Sequence, residues 1–208
     1  MKLHSSAGPN PRVVALFAAE KGIDLPRIPV DLRGGENRRE PYLSSVNPAG
    51  QTPALELDDG SFLTEVVAIC EYLEERHPAP PLIGTTAEER ARTRMWTRRV
   101  DLKVCEPLAN GFRYAEGLAL FQPRMRCLPE AAAGLKAVAQ DGLAWLDAQM
   151  GDRPFIAGDA YGLADIMLFA FLDFGRGVGQ PIDRSNGRIA AWFDRVAERP
   201  SVQATPRI

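Results

Sequence analysis

A proline-rich run separates two parts of this chain that carry different patterns. His77-Pro78-Ala79-Pro80-Pro81 cannot continue a helix, because proline lacks the N–H and clashes with the preceding turn, so the run is typical of a stiff linker. Before it, short strand patterns alternate with helix patterns, and after it only helix patterns remain. The sequence therefore predicts a small α/β domain over residues 1–80 and an all-helical domain over residues 81–208.

The first forty residues are typical of a strand–helix–strand unit. Lys2–Ser5 predicts a strand, and a helix is predicted to follow with Asn10 as N-cap and Pro11 as its first residue, running to Lys21. Ile28–Leu32 predicts the second strand. Strands joined by a helix favour a parallel pair with a right-handed crossover.

Three further elements are expected before the linker. They are a short helix over Pro41–Val46, a β-hairpin of Ala54–Leu57 and Ser61–Leu63, and a helix that reaches Arg76. The hairpin is indicated by the turn Asp58-Asp59-Gly60 between its two apolar runs. Thr64 is the predicted N-cap of the helix that follows.

After the linker, the pattern predicts four helices: Glu88–Glu116, Pro129–Met150, Leu163–Phe174 and Ile189–Glu198. The third is apolar on nearly every face, which is typical of a helix buried in a bundle. It is too short for a membrane span, which needs roughly 20 residues, and it contains Asp165 and Asp173. Asp165 lies three residues after Gly162, where it can bond back to the helix start, so we expect it to be buried.

Charge and cysteine content exclude several classes of protein. With 25 basic and 27 acidic residues, the net charge is −2, so no global basic field attracts nucleic acid or an anionic membrane. Arg90, Arg94 and Arg98 share one helix stripe, which we interpret as solvated or dimer-facing. The three cysteines form no CxxC and no cluster with histidine, which argues against a zinc site and favours a reducing compartment, the cytoplasm.

Four motifs in a fixed order resemble cytosolic glutathione transferases. They are Asn47–Leu55, Leu63–Leu73, the pair Phe155–Asp159 and Leu163–Ile166, and Glu198-Arg199-Pro200. The resemblance spans essentially the whole chain. It implies a thioredoxin-like first domain of the βαβ-α-ββα type, a helical second domain, and glutathione as co-substrate with no metal.

By the same resemblance, glutathione is bound by the first domain. The Thr52–Pro53 bond would be cis, and the backbone N–H and C=O of Thr52 would pair with the cysteinyl unit of glutathione. Glu65 would accept the γ-glutamyl ammonium. The N–H of Val66, where most relatives have serine, would bind the γ-glutamyl carboxylate at a helix N-terminus.

Other implied contacts are less specific. Asn37 and Gln51 match positions that often contact the glycyl end of glutathione. Phe112, Tyr114 and Phe121 are candidates for the wall that binds a small hydrophobic electrophile, although aromatic residues on helices are more often core. Relatives form homodimers that pair the first domain of one subunit with the helical domain of the other, and we expect Glu65–Arg76 and Glu88–Glu116 at that contact.

The group that activates the thiol is the main departure from the family. Relatives use a tyrosine, serine or cysteine near the first strand and helix, and no residue here matches unambiguously. Ser5, Ser6 and Asn10 are the candidates. Each also has a purely structural interpretation: helix capping for Asn10, and hydroxyl groups bonded to nearby backbone for the serines. A helix start at Asn10-Pro11 is expected to direct free N–H groups at the thiolate.

The resemblance predicts an enzyme that conjugates the thiolate of glutathione to small electrophiles. Two alternatives remain open. One is another glutathione-dependent activity on the same scaffold: peroxidase, isomerase, dehalogenase or ether cleavage. The other is a non-catalytic module that binds glutathione or a partner, favoured by the missing tyrosine and by Val66. The sequence does not identify the electrophile.

Overall fold

The structure, a computed structural model, describes residues 1–205 of the 208-residue chain. Within that range the chain forms two compact units. The first unit comprises Met1–Pro81 together with the segment that begins at Ser201, and the second comprises Leu82–Pro200. No sequence pattern indicates that the segment from Ser201 joins the first unit.

The first unit contains a four-stranded sheet with the strand order β2-β1-β3-β4. Its elements in chain order are β1 Lys2–Ser5, α1 Pro9–Glu20, β2 Arg27–Pro29, a 3₁₀ turn Glu36–Arg38, α2 Tyr42–Ser45, β3 Ala54–Glu56, β4 Phe62–Thr64 and α3 Val66–Arg76. Strand β1 pairs in parallel with β2 and antiparallel with β3, and β3 pairs antiparallel with β4. The predicted βαβ-α-ββα order and the parallel first pair are confirmed.

The start of α1 differs from the prediction. Gly8 is the N-cap and Pro9 is the first helical residue, so the prediction that Asn10 caps the helix is wrong. The cause is the earlier of the two prolines, whose fixed φ near −65° is already helical. Gly8 adopts φ 133°, a conformation that favours glycine.

Two other boundaries are also corrected. Strand β2 ends at Pro29 instead of Leu32, because a turn follows in which the Leu32 N–H donates to the Val30 carbonyl at 3.0 Å. Thr64 is the last residue of β4 and does not cap α3. The N-cap position of α3 is occupied by Glu65, whose side chain makes no capping hydrogen bond.

A buried ion pair holds the end of α1 against α3 and the linker. The Lys21 Nζ lies 2.6 Å from Glu74 Oε2, and both side chains are almost fully excluded from solvent. The same ammonium donates to the carbonyl oxygens of His77 at 2.7 Å and Pro80 at 2.8 Å. A buried charge is tolerated when it is paired and hydrogen-bonded in this way, so Lys21 fixes the path of the chain that leaves α3.

The second unit is helical throughout its described residues. It contains α4 Ala87–Val100, a π-helical segment Asp101–Cys105, α5 Glu106–Arg113, α6 Leu118–Phe121, a 3₁₀ turn Pro129–Ala131, α7 Ala132–Met150, α8 Leu163–Gly177 and α9 Gly187–Ala197. The short helix α10, Pro200–Ala204, follows, and its residues from Ser201 belong to the first unit. No helix within residues 1–205 is long and apolar enough to cross a membrane.

The predicted single helix over Glu88–Glu116 is interrupted. Pro107 has no N–H to offer the carbonyl of Lys103 four residues earlier, and the chain widens into a π-helical segment at that point. Gly142 of α7 sits against the carbonyl of Lys103, since a Cβ on Gly142 would lie 2.2 Å from that oxygen. The interruption therefore lets two helices approach closely.

The start of the buried helix α8 is organised by Asp165. This carboxylate is fully buried and accepts hydrogen bonds from the N–H groups of Ile156 at 2.9 Å and Gly162 at 3.1 Å, and from Trp192 Nε1 at 2.8 Å. Burial raises the pKa of Asp165 to about 6, although the three donated bonds oppose that shift. The expectation that Asp165 is buried and bonds back to the helix start is confirmed.

Replacing Asp165 tests how much this cap contributes to stability. We expect Asp165→Ala to lower the free energy of unfolding by about 3 kcal/mol, because three buried donors lose their acceptor. The matched control is Asp159→Ala at an exposed position, with an expected change below about 0.5 kcal/mol. Urea denaturation measures both, and equal losses in the two variants would contradict the assignment.

Candidate functional site

Two strand pairings converge on Thr52. In the β1–β3 ladder His4 faces Ala54, and continuing that register by two residues brings Ser6 opposite Thr52. The structure agrees, because the Ser6 Oγ lies 2.6 Å from the Thr52 Oγ1. In the β3–β4 ladder Ala54 faces Thr64, so the start of α3 lies on the other side of the same segment. Thr52 is therefore flanked by the end of β1 and the start of α3.

The backbone of Thr52 has hydrogen-bonding groups that the sheet does not use. The Thr52–Pro53 bond is cis, as predicted. Among the described residues, no backbone group bonds to the N–H or C=O of Thr52, and the residue is partly exposed. A strand with one free donor and one free acceptor can pair with an extended peptide in the manner of an added strand.

Buried side chains hold the loop that leads to Thr52. The Tyr42 hydroxyl donates to the Gln51 carbonyl at 2.7 Å, and the Asn47 Nδ2 donates to the same carbonyl at 3.0 Å. Burial, with a smaller effect of Glu36, raises the pKa of Tyr42 to about 12, so the phenol stays a donor. The Gln51 side chain is exposed above this loop.

Tyr42 and Asn47 were not among the sequence-predicted site residues. Asn47 carried a usable signal, because an asparagine two residues before a small residue in a turn can accept its N–H. Its Oδ1 indeed accepts from the Ala49 N–H at 3.0 Å. Tyr42 carried no local signal, since its partner lies across the fold.

Asn37 lies beneath the same loop. Its side chain is 2% exposed, and its Nδ2 donates to the Gly50 carbonyl at 2.5 Å. Its Oδ1 is buried without a hydrogen-bond partner among the described residues. Gly50 has φ 60°, and a Cβ there would lie 2.8 Å from the Asn37 carbonyl oxygen. The structure thus places Asn37 as a support for the loop.

The start of α3 has an unusual backbone. Glu65 has φ 70°, and no other non-glycine residue in the described range has a positive φ. Such a conformation costs of order 1–3 kcal/mol and is concentrated at functional sites. The Glu65 side chain is exposed, while Val66 behind it is buried. The free N–H groups of the first helical turn and this carboxylate can bind the two ends of an amino-acid group.

The start of α1 offers fewer donors than the sequence suggested. Pro9 and Pro11 have no N–H, so of the first three helical residues only Asn10 provides one. The Asn10 side chain is partly exposed, and its amide has no hydrogen-bond partner in the described chain. The expectation of several free N–H groups at this helix start is corrected to one among its first three residues.

The structure separates the two candidate serines. Ser5 is 5% exposed and lies on the same face of β1 as the fully buried Leu3, because side chains alternate along a strand. Ser6 is partly exposed and contacts Thr52. Ser6 thus contacts Thr52, and Ser5 faces the core.

The second unit has a partly exposed aromatic cluster of its own. Phe112 makes edge-to-face contacts with Phe121, at 6.1 Å between ring centroids, and with Phe174, at 5.0 Å. Tyr114 is also partly exposed. No group of three or more His, Cys, Asp or Glu residues within residues 1–205 is arranged to hold a metal ion.

Comparison with known proteins identifies related sequences over both units. Residues 7–76 match the family model described as "Glutathione S-transferase, N-terminal domain", and residues 129–195 match "Glutathione S-transferase, C-terminal domain". "Glutathione S-transferase 2" of Saccharomyces cerevisiae is 32% identical over 202 residues, which are 95% of this chain and 85% of that protein. "Maleylacetoacetate isomerase" of Pseudomonas aeruginosa is 35% identical over 93% of this chain and 89% of its own.

A solved structure with a bound ligand is also similar. It is a sphingomonad glutathione S-transferase complexed with glutathione, with a TM-score of 0.80 and 29% sequence identity. The alignment covers 99% of this chain and 96% of that chain. The thioredoxin-like sheet followed by a helical unit is therefore an arrangement that this chain shares with glutathione S-transferases.

The support beneath Gln51 can be tested with a single hydroxyl deletion. We expect Tyr42→Phe to lower the free energy of unfolding by about 1 kcal/mol, because the Gln51 carbonyl loses one of its two buried donors. Tyr72→Phe on α3, at a partly exposed position, is the control and should change stability by less than about 0.5 kcal/mol. Chemical denaturation of both variants decides it, and a loss no larger than in the control would contradict the role of Tyr42.

Proposed function

The chain belongs to the glutathione S-transferase family, and on that basis we propose that it binds glutathione in its first unit and conjugates it to small electrophiles. The observation that carries the proposal is the free backbone N–H and C=O of Thr52, held between the Ser6 hydroxyl and the start of α3. We assign glutathione binding to residues 1–80 and the helical domain to the residues that follow, up to Pro200, since the segment from Ser201 belongs to the first unit.

Glutathione is a γ-glutamyl-cysteinyl-glycine peptide, and each part has a candidate partner. The cysteinyl unit pairs with the backbone of Thr52, the residue whose bond to Pro53 is cis. The γ-glutamyl ammonium meets the exposed Glu65 carboxylate, and its carboxylate meets the N–H of Val66 at the start of α3. The glycyl end meets the exposed Gln51 side chain, and Asn37 contributes by holding Gly50 beneath it.

The chemistry requires a thiolate. A free thiol with a pKa near 8.5 is only about 3% ionised at pH 7, so a site that lowers the pKa by two units supplies about 2.7 kcal/mol. The candidates for that role are Ser5 and Ser6 at the end of β1 and Asn10 in the first turn of α1. The thiolate sulfur then forms a bond to an electrophilic carbon of the second substrate, and the leaving group departs with the bonding electron pair.

We assign the binding of a hydrophobic electrophile to the second unit. Phe112, Tyr114 and Phe121 are partly exposed, and aromatic side chains offer apolar area to a small ligand. The reaction needs no metal, since the nucleophile is the sulfur of glutathione.

Isomerisation with glutathione is the second candidate function. It is favoured by the similarity to the maleylacetoacetate isomerase of P. aeruginosa, at 35% identity. The same bound thiolate would add to a conjugated double bond and leave again after rotation, so the first unit would act identically. Peroxidase, dehalogenase and ether-cleaving activities would use the same thiolate, so they remain further candidate activities of this site.

One experiment separates these activities from a non-catalytic binding module. The purified protein is applied to immobilised glutathione and then assayed with 1-chloro-2,4-dinitrobenzene, cumene hydroperoxide and maleylacetone. We expect retention together with turnover of at least one substrate. Retention without any turnover would replace the enzyme with a glutathione-binding module, and the absence of retention would overturn the proposed function.

We further propose that the protein acts in the cytoplasm as a homodimer. Cys70 and Cys105 are buried free thiols, as expected in a reducing compartment. Residues 1–81 carry 8 basic and 12 acidic side chains, and residues 82–208 carry 17 and 15. Helix α3 carries three acidic side chains and one basic, and α4 carries two acidic and five basic, so α3 of one copy and α4 of another have complementary charge. Met95 and Leu102 expose apolar surface beside the arginines of α4.

Glutathione binding should depend on the carboxylate at the start of α3. We expect Glu65→Gln to raise the KM for glutathione tenfold or more, because the ammonium loses a charged partner worth about 1.5–3 kcal/mol. Glu75→Gln, at another exposed position of α3, is the control and should leave KM unchanged. Steady-state kinetics on both variants measures this, and equal KM values would contradict the role of Glu65.

If the protein is a dimer, replacing one exposed leucine in the proposed contact should halve the molecular mass of the particle in solution. Light scattering of the wild type should give twice the chain mass, and Leu102→Glu should give the mass of one chain, because a charge is then buried in the contact. Val138→Glu, at a similarly exposed apolar residue of α7, should remain dimeric. A wild-type monomer at micromolar concentration would contradict the proposal.

A further inference from the structure

Two arginines lie over one ring of the aromatic cluster in the second unit. The guanidinium carbons of Arg113 and Arg124 are 5.8 Å and 5.6 Å from the centroid of the Phe121 ring. We propose that the second substrate carries a carboxylate and that Arg113 binds this carboxylate. The inference rests on the proposed function, because it names the class of electrophile that the second unit takes.

The aromatic rings form an apolar surface beside these arginines. Phe112 makes edge-to-face contacts with Phe121 and Phe174. The Phe112 ring also lies directly against Gly117, since a Cβ there would be 2.8 Å from Phe112 Cε1. The Gly117 N–H donates to the Phe112 carbonyl at 2.8 Å and closes the turn at the end of α5. Rings held in this way offer apolar area to the body of a small ligand.

Arg113 is held in place and keeps hydrogen-bond donors for a ligand. Its side chain is 22% exposed, and its Nη1 donates to Asn110 Oδ1 at 2.8 Å. Glu106 is the one carboxylate within 4 Å of this guanidinium among residues 1–205, and its distance of 3.9 Å is too long for a hydrogen bond. A guanidinium has five N–H donors in a planar fork, which matches the two oxygens of a carboxylate.

The charges around the ring favour an anionic ligand over a neutral one. Glu116 is paired with Lys136 at 2.5 Å, and Arg124 adds a second positive charge over Phe121. A neutral ligand over this ring would remove water from the Arg113 N–H groups without replacing those hydrogen bonds, which costs free energy. A ligand carboxylate replaces them with charge-assisted hydrogen bonds. The arrangement therefore discriminates between a carboxylic acid and its ester.

The carboxylate is a binding group and takes no part in the reaction. With ethacrynic acid, an α,β-unsaturated ketone, the thiolate sulfur of glutathione forms a bond to the terminal methylene carbon. The electron pair of the C=C bond moves to the carbonyl oxygen, and the resulting enolate takes a proton from water at its α-carbon. The thiol proton has already passed to solvent, and no group leaves. The methyl ester of ethacrynic acid reacts by the same steps without the negative charge.

The test compares ethacrynic acid with its methyl ester in steady-state kinetics, each corrected for its uncatalysed reaction with glutathione. In the wild type we expect kcat/KM to be at least tenfold higher for the acid. Arg113→Gln should lower kcat/KM for the acid tenfold or more, mainly through KM, and should affect the ester far less. Arg113→Lys should keep part of the preference, because the charge remains and the planar fork is lost.

Arg188→Gln is the matched control. Arg188 of α9 also has one carboxylate nearby, at 3.7 Å from Asp147 Oδ2, and it is not part of the aromatic cluster. This variant should leave the ratio of the two kcat/KM values unchanged. The KM for glutathione should be the same in all variants, since that ligand is assigned to the first unit. Thermal unfolding is followed in parallel, and Arg113→Met replaces Arg113→Gln if the latter does not fold.

Three outcomes would overturn the inference: no preference for the acid in the wild type, equal losses for acid and ester in Arg113→Gln, or the same loss of preference in Arg188→Gln. If neither compound is turned over, their inhibition constants against 1-chloro-2,4-dinitrobenzene replace kcat/KM, and equal inhibition by acid and ester overturns the inference. A wild type that conjugates neutral electrophiles without preferring the acid overturns this inference alone. A wild type without any turnover overturns the proposed function and this inference together.

Discussion

The antiparallel pairing of β1 with β3 is the constraint on which the first unit depends. Among the strands of residues 1–205, it is the one ladder that joins the strand–helix–strand half to the hairpin half, since the strand order is β2-β1-β3-β4. Leu3 and Leu55 face each other at its centre, and both are fully buried. A slip of one residue would turn these leucines to the opposite face. The same slip would separate Ser6 from Thr52, so the core and the site are fixed by one register.

Much of this fold could be predicted because its signals are local. The strand Lys2–Ser5 is found with the predicted bounds, and the hairpin and α8 follow from alternation, turn residues and a continuous apolar run. The failures occurred where two local signals competed. Pro9 and Pro11 both suit a first helical position, and the earlier one begins the helix. The π-helical segment could not be predicted, because it depends on Pro107 together with the close approach of Gly142.

Some residues of the candidate site could also be predicted from the sequence, and others could not. The cis bond at Thr52–Pro53 and the position of Glu65 at the start of α3 followed from the resemblance to a known family. The supports beneath the loop did not, because Tyr42 and Asn37 act through partners that only the folded chain brings together. The contact of Ser6 with Thr52 spans 46 positions and has no signature in either segment. Residue identity therefore indicates which segment is the candidate for ligand binding, and the fold determines which side chains contact that segment.

The segment that begins at Ser201 has a consequence for how the protein is made. Its Ser201 hydroxyl donates to the Glu20 carboxylate, and Val202 and Thr205 are buried, so it is part of the first unit. A ribosome synthesises this segment only after the whole second unit. During translation the nascent first unit therefore leaves the end of α1 without this cover, and the earliest part of the chain to emerge is among the last to be completed.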